Sequence, residues 1–163
     1  IFLDTITDLN KKFPGLQTVV IKSDNIELLP TPEHIKIEFS SEYAMRNGTA
    51  AISASGTATL ECAMANLPTV VCYKMSYLNW ILFNLFGKVK YISIVNLIAK
   101  KKIIPELIQH KMTSKNIIKK IFPYLDIKSE KRMKTIKQFD ILRKNLGEQG
   151  VFDRIANFIL REN

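Results

Sequence analysis

The sequence predicts an α/β fold with a parallel sheet, and three observations support this prediction. An apolar run at residues 50–52 precedes a glycine turn, a helix-forming stretch and a second apolar run at 67–73. Strand, turn, helix and strand form a βαβ unit, whose two strands lie parallel. The 163 residues are enough for one domain with a sizeable core, and their 47% hydrophobic content is typical of a globular chain. We therefore expect helices on both faces of the sheet.

The N-terminal part predicts two helices and two strands ahead of the βαβ unit. Residues 2–13 carry apolar side chains at helical spacing, and the Pro-Gly pair that follows should end this helix. Residues 17–22 predict a short buried strand, and the alternation of apolar and polar residues over 35–39 predicts another. The serines after it should cap a short helix that runs to Arg46.

The stretch after the βαβ unit predicts another strand and another helix. Residues 90–99 favour a strand that leads into a loop at Asn96. Pro105 should start a helix, because proline is common in the first turn. Such a helix would place Glu106 and Gln109 on one face, since they lie three residues apart.

Three further helices are predicted near the C-terminus. One spans residues 115–122, between a threonine–serine cap and a stop at Pro123. A long basic helix spans 129–145, and a last helix spans 151–160. The long helix should bury an apolar stripe made of Met133, Ile136, Phe139 and Leu142.

Residues 75–89 form an unusual segment that admits two interpretations. Its aromatic and aliphatic side chains cover more than one helical face, and Lys88 and Lys90 flank one end. A helix buried in the core is one interpretation. The other is an amphipathic helix in a membrane interface, where aromatic residues and flanking lysines are typical. We favour membrane or acyl-chain contact, with four aromatic contact residues: Tyr77, Trp80, Phe83 and Phe86.

The charge of the chain indicates which partners it favours, and its cysteines and histidines indicate whether it binds a metal. The 24 Lys and Arg residues outnumber the 15 Asp and Glu residues, and the net charge of +9 favours anionic partners. Nucleic acid is not expected, because the basic helix over 129–145 lacks interleaved exposed aromatic residues. Cys62 and Cys72 should be reduced and buried. Neither His34 nor His110 lies in a metal-binding motif, so we predict no metal and no cofactor.

The turn inside the βαβ unit has the chemistry of a nucleotide-sugar site. Gly56 allows a sharp turn, and Ser55 or Thr57 can cap the helix that follows. The N-terminus of a helix attracts phosphate through its N–H groups and its dipole. Glu61 lies about one helical turn further on and could accept hydrogen bonds from sugar hydroxyls. A simple helix cap without a ligand is the alternative, because most such turns bind nothing.

Four longer stretches carry a family resemblance. They are Ser-Ala-Ser-Gly-Thr-Ala-Thr-Leu-Glu at 53–61, the strand and its continuation at 68–76, a more specific block within 91–109, and Leu-Gly-Glu-Gln-Gly at 146–150. Together they resemble the bacterial lipid-A-disaccharide synthase family. The similarity runs from about residue 50 to the C-terminus, in the order and spacing of the family.

The resemblance implies a fold and an activity. Residues 1–163 would form the Rossmann-like, UDP-donor-binding half of a GT-B glycosyltransferase. The complete enzyme would transfer 2,3-diacylglucosamine from UDP to 2,3-diacylglucosamine 1-phosphate, giving lipid A disaccharide 1-phosphate and UDP. It would act in the cytoplasm at the inner-membrane surface, and a homodimer is a further expectation. The catalytic base is expected in an N-terminal acceptor half, which this chain lacks.

The same resemblance assigns seven residues to donor binding: Ser55, Gly56, Thr57, Glu61, Asn96, Glu106 and Gln109. Ser55, Gly56 and Thr57 would cradle the diphosphate, and Glu61 would hold the ribose. The other three residues would line the donor or inter-domain cleft. Three places depart from the family pattern. Val95 stands where the family usually has proline. Lys100-Lys101 replaces a usual Gly-Arg pair, and Lys74 replaces a usual arginine.

A binding module without chemistry is the competing hypothesis. Such a remnant would bind UDP or membrane but would not transfer sugar. The chain begins at Ile1 rather than Met, which is typical of a fragment. A coding region that continues upstream of Ile1 into an acceptor half would favour the enzyme, whereas a stop codon there would favour the remnant.

Overall fold

The computed structural model describes residues 1–21, 35–38, 40–54, 56–76, 90–147, 157 and 159. The helices and strands, in chain order, are α1 (Phe2–Lys12), β1 (Val19–Ile21), β2 (Lys36–Glu38), α2 (Ser41–Asn47), β3 (Ala51–Ala54), α3 (Thr57–Met64), β4 (Thr69–Tyr73), α4 (Ile94–Ala99), β5 (Glu106–Ile108), a 3₁₀ turn (Gln109–Lys111), α5 (Ser114–Leu125) and α6 (Glu130–Leu146). Three sequence-based predictions lie outside the described residues. They concern Ser55, the aromatic segment at 77–89, and most of the last helix over 151–160.

Every strand pair among the described residues is parallel, as the βαβ pattern predicts. β3 pairs with β4 and β4 pairs with β5, while β1 and β2 form a separate two-stranded sheet. β4 is buried from Thr69 to Cys72, because it has a neighbouring strand on each side and helices on each face. β1 is only half-buried, with Ile21 exposed, so the expected buried strand is not found there. The predicted α/β fold with parallel strands is confirmed.

The three-stranded sheet separates two hydrophobic clusters, because successive side chains of a strand point to opposite faces. Val70 and Cys72 face α1 and α5. Val71 faces α3, α4 and α6. Each fully buried Val, Leu, Ile or Phe side chain contributes roughly 1.5–3 kcal/mol, so both clusters hold helices firmly on the sheet. The principal helical residues of the two clusters are Leu9, Ile117, Ile121 and Tyr124 on the first face and Ala63, Val95, Phe139 and Leu142 on the second.

The predicted strand over 90–99 is wrong, because most of this stretch forms helix α4. Ser93 is the N-cap residue, and its hydroxyl accepts a hydrogen bond from the N–H of Asn96 at 3.3 Å. This cap stabilises the first turn of the helix. The β-branched pair Ile94-Val95 favoured a strand in the sequence, but packing against the sheet outweighs such a local preference.

The predicted helix at Pro105 is also wrong, because the next three residues form β5. β5 is short and is defined by its pairing with β4. Its central residue, Leu107, lies opposite Cys72 and is buried. Glu106 and Gln109 therefore do not share a helical face. Glu106 begins the strand, and Gln109 begins the 3₁₀ turn that follows.

Two details of the C-terminal helices differ from prediction. α5 continues past Pro123 to Leu125, although proline there lacks the N–H that would bond to residue 119. Burial of the next residue, Tyr124, holds this last turn against the core. In α6, Met133 is 48% exposed, and Thr135 lies in the buried stripe instead.

The two cysteines are free and buried, as predicted. Burial raises the pKa of both thiols, that of Cys72 to about 12.

Lys100 ends α4 in the left-handed conformation, with φ 52° and ψ 21°. A side chain with a Cβ is strained there, by roughly 1–2 kcal/mol. We expect Lys100→Gly to raise the free energy of unfolding by about 0.5–1 kcal/mol, because glycine relieves the strain but gives the unfolded chain more entropy. Urea unfolding measures the change.

The matched control for this change is Lys101→Gly. Lys101 is exposed like its neighbour, but it is not among the non-glycine residues with positive φ. Glycine at 101 should therefore leave stability unchanged or lower it. Equal effects of the two substitutions would contradict the expectation that backbone strain at Lys100 limits stability.

Candidate functional site

The carboxyl ends of β3, β4 and β5 lie at one edge of the sheet, because all three strands run parallel. Ala54 lies opposite Cys72, and Tyr73 lies opposite Ile108, near this edge. The chain that leaves β3 there continues directly into α3. Ligands of open α/β sheets bind outside the carboxyl ends of the strands. This edge is therefore the candidate site.

Gly56 forms the turn from β3 into α3 and is the N-cap residue of the helix. Its φ of 156° and ψ of −166° lie in a region that is essentially restricted to glycine. An added Cβ would meet no atom within 4 Å, so the backbone conformation, and not a lack of space, requires glycine. The turn is further held by the hydroxyl of Thr59, which donates to the carbonyl of Gly56 at 2.7 Å.

Thr57 and Glu61, the two residues of the predicted donor site that lie on α3, are exposed. Thr57 opens the helix but does not cap it, because the cap residue is Gly56 and no side-chain cap hydrogen bond is formed. Capping by Thr57, one of the two predicted alternatives, is therefore wrong. Glu61 lies one turn further on, and its side chain is exposed. Both side chains are accessible to a ligand, and their predicted contacts to diphosphate and ribose stay predictions.

Asn96 is fully buried in α4, and four hydrogen bonds occupy its side chain. Its Oδ1 accepts from the N–H groups of Ile103 and Ile104 at 2.7 and 3.0 Å. Its Nδ2 donates to the carbonyl of Ile104 and to Oε1 of Glu106, both at 2.9 Å. These bonds use both donors and both acceptor positions of the amide. Asn96 thus joins α4 to the turn that precedes β5, and this contact positions the start of the strand.

Glu106 continues this network from β5 to the first turn of α4. Its Oε1 accepts from the N–H and the hydroxyl of Ser93 at 2.9 and 2.8 Å. The N–H of Ile92 donates to both carboxylate oxygens at 3.2 Å. A carboxylate beside the N-terminus of a helix is favoured by the helix dipole. Glu106 therefore holds the beginning of α4 against the sheet.

Gln109 pairs with the backbone beyond the end of β4. Its Nε2 donates to the carbonyl of Met75 and its Oε1 accepts from the N–H of Met75, both at 3.0 Å. Gln109 itself has a positive φ of 50°. The structure thus gives Asn96, Glu106 and Gln109 a clear positioning role, and their direct contact with a donor stays a prediction.

Two residues that hold the helices beside the sheet were missed in the sequence. Ser93 could have been found, because serine is a preferred N-cap residue. Arg143 gave no local signal. Its guanidinium, on α6, donates to the carbonyl of Met64 and to Oδ1 of Asn66, both at 2.9 Å, and so satisfies the C-terminal end of α3. Ser93 thus holds the start of α4, and Arg143 holds the end of α3 that is remote from the candidate site.

Comparison with known proteins gives a consistent family relationship. A family model for lipid-A-disaccharide synthetase matches residues 1–154. A lipid-A-disaccharide synthase of Sulfurihydrogenibium sp. is 35% identical over 125 residues, which cover 76% of this chain and 32% of that protein. The synthase of Gloeothece citriformis is 38% identical over 112 residues, which cover 68% of this chain and 29% of that protein. The synthase of Myxococcus xanthus is 30% identical over 160 residues, which cover 93% of this chain and 42% of that protein. The chain therefore spans between 29% and 42% of the length of these relatives.

The buried network predicts a large effect of a single-atom exchange at Asn96. Asn96→Asp should lower the free energy of unfolding by more than about 3 kcal/mol, because it turns two donated bonds into oxygen–oxygen repulsion and buries a charge beside Glu106. Chemical denaturation followed by circular dichroism measures this loss.

Asn116→Asp is the matched control for this substitution. Asn116 also donates through Nδ2 to a backbone carbonyl, that of Lys111 at 2.9 Å, but this bond is exposed. Asn116 lies in the first turn of α5, where an acidic residue is favoured, so the change should stay within about 1 kcal/mol. Similar losses at both positions would show that the Asn96 network is not the critical contact.

Proposed function

The chain belongs to the lipid-A-disaccharide synthase family, and we propose that residues 1–163 are the UDP-donor-binding half of its GT-B glycosyltransferase. The complete enzyme transfers 2,3-diacylglucosamine from UDP to 2,3-diacylglucosamine 1-phosphate. The products are lipid A disaccharide 1-phosphate and UDP. The observation that carries this proposal is the family match over residues 1–154, and the parallel sheet with a glycine turn at its carboxyl edge supports it.

The diphosphate of the donor binds at the start of α3 in this proposal. Gly56 has no side chain, so a phosphate can approach the backbone closely, and Thr57 offers an exposed hydroxyl. Ser55, which precedes them in the sequence, completes the cradle by resemblance. Positive potential at the start of the helix stabilises the charge that develops on UDP as it leaves. This part of the chain therefore supplies leaving-group stabilisation.

Glu61 binds the ribose of the donor. Its exposed carboxylate lies about one turn from Thr57, and carboxylates accept strong hydrogen bonds from hydroxyl groups. Asn96, Glu106 and Gln109 act one step back from the ligand. Their hydrogen bonds fix α4 and the end of β4 against the sheet, and so shape the cleft in which the sugar lies.

The acylated substrates place the proposed reaction at the cytoplasmic surface of the inner membrane. Within the stretches that the structure describes, no helix has the length and apolar character needed to cross a bilayer. The net charge of +9 suits phosphorylated substrates and anionic lipid. Membrane or acyl contact by Tyr77, Trp80, Phe83 and Phe86 stays a prediction, because these residues lie outside the described part, and so does a homodimer.

The proposal predicts that UDP binds this chain and that Glu61 contributes to the affinity. Glu61→Gln should weaken UDP binding by about 1–2 kcal/mol, because a neutral amide accepts a weaker hydrogen bond from ribose than a carboxylate does. Calorimetric titration with UDP measures both affinities.

Glu130→Gln serves as the matched control. Glu130 is an exposed glutamate in the first turn of α6, where it forms an ion pair with Lys134 at 2.5 Å. Its substitution should leave UDP binding unchanged. Absence of UDP binding to the unmodified chain would contradict the proposed function, and equal affinity of Glu61→Gln would remove Glu61 from the ribose site.

A further inference from the structure

A groove runs between α1 and α5, on the face of the sheet opposite α3. Its volume is about 550 Å³. Two residues of α1 and four residues of α5 line it: Asp8, Lys12, Lys115, Ile118, Lys119 and Phe122. None of these residues belongs to the candidate donor site, so the groove is a separate surface of the molecule.

The two helices that form the groove run side by side in the same direction. Oγ of Ser114, in the first turn of α5, donates to the carboxylate of Asp8 at 2.7 Å. Towards the ends of both helices, the rings of Phe13 and Phe122 stack with their centroids 5.4 Å apart. The four lining residues of α5 lie at i, i+3, i+4 and i+7, so they share one helical face over about two turns, roughly 10 Å. The groove therefore has the length of a short helical segment.

An aromatic pair lies at one end of the groove and is open to solvent. Phe122 is 50% exposed. Its ring stacks on Phe13, and Nζ of Lys12 lies 5.7 Å from the centroid of each ring. Ile118, one turn before Phe122, is half-buried and packs on the core. An exposed aromatic side chain that its neighbours hold in place is typical of an anchor residue in a protein interface.

Positive charge surrounds this apolar floor. Lys12, Lys115 and Lys119 are exposed, and none of the ion pairs found among the described residues includes them. α5 itself contains no Asp or Glu. Among the described residues that line the groove, only Asp8 is acidic, and it lies beside the first turn of α5. Cations thus run along the groove, and a carboxylate lies at one end of it.

We propose that this groove binds an acidic amphipathic helix of a partner protein. The apolar side chains of that helix cover Ile118 and Phe122, and its carboxylates meet the lysines along both walls. Its N-terminus lies at Asp8, because the positive end of a helix dipole favours a carboxylate. The inference goes beyond the proposed function, since the groove and α3 lie on opposite faces of the sheet.

Shape and charge favour this occupant over a bilayer or a second copy of the chain. A bilayer surface is flat and uniformly anionic, so it neither fills a recessed groove nor complements Asp8. A second copy would bring a net charge of +9 towards a positive surface. A helix with one apolar face and acidic flanks fills the groove and neutralises its lysines.

The test measures the binding of a labelled synthetic peptide to the chain by fluorescence anisotropy. The peptide has about 15 residues, with leucines on one helical face and glutamates elsewhere, and a scrambled peptide of the same composition lacks the apolar face. The amphipathic peptide should bind about tenfold more tightly than the scrambled one, because only its leucines can enter the groove together. Phe122→Ser should abolish this preference.

A second variant removes charge and leaves the aromatic pair and Lys12 in place. The double substitution Lys115→Gln, Lys119→Gln should weaken binding of the amphipathic peptide about tenfold and reduce its salt dependence. This variant decides the question if Phe122→Ser does not fold. An affinity that the double substitution leaves unchanged would overturn the proposal.

The matched controls lie on α6. Met133 is 48% exposed, close to the exposure of Phe122, and Lys137 and Lys144 are exposed lysines of the same helix. Met133→Ser, and the double substitution Lys137→Gln, Lys144→Gln, should change neither the affinity nor the preference for the amphipathic peptide. Losses as large as those of the groove variants would show that binding follows the net charge of the chain and would overturn the proposal.

The other outcomes are equally decisive. No binding of the amphipathic peptide, or equal binding of the scrambled one, overturns the proposal. Co-sedimentation with phosphatidylglycerol vesicles that Phe122→Ser abolishes would assign this face to a bilayer. A dimer in sedimentation equilibrium that Phe122→Ser dissociates would assign it to a second copy of the chain. UDP binding should be the same in Phe122→Ser and in the unmodified chain, so failure of this inference leaves the proposed function untouched.

Discussion

The buried side chain of Asn96 is the contact on which the candidate site depends most. Its amide makes four hydrogen bonds, to the backbone of Ile103 and Ile104 and to the carboxylate of Glu106. A fully buried amide must be satisfied in this way, because each unpaired polar group would cost roughly 1–3 kcal/mol. The network therefore holds α4, the turn that follows it and β5 in this arrangement. That arrangement fixes the strand whose end bears Gln109.

The predicted site residues of this chain fall into an exposed layer and a buried one. The exposed layer carries the side chains that the proposed donor would contact, which are Thr57 and Glu61, beside the half-buried turn at Gly56. The buried layer carries Asn96 and the acceptor oxygens of Glu106, which are occupied by the chain itself. Residues of both layers lie in the stretches that carry the family resemblance. Family membership alone thus does not tell which residues bind and which position, whereas burial and hydrogen bonding separate the two roles.

The sequence was informative where local chemistry decides the structure. α1 and α2 follow from helical periodicity and a serine cap, and β3-α3-β4 follows from an apolar run, Gly56 and a second apolar run. α4 and β5 could not be predicted in the same way. Ile94 and Val95 favour a strand locally, and the three residues of β5 are too few to show a period. In the site, the turn at Gly56 and the exposure of Glu61 were foreseeable, but the pairing of Gln109 with Met75 joins residues 34 apart and leaves no local pattern.

Hydrogen exchange of the backbone amides, measured with and without UDP, tests most directly that the carboxyl edge of β3 and β4 is the donor site. Binding should slow exchange in the first turns of α3, from Gly56 to Glu61, because the ligand restricts opening there. The amides of α1, on the opposite face of the sheet from α3, should exchange at unchanged rates. Protection confined to α1 and α5, or no protection at Gly56 to Glu61 under saturating UDP, would contradict the assignment of the donor site to this edge.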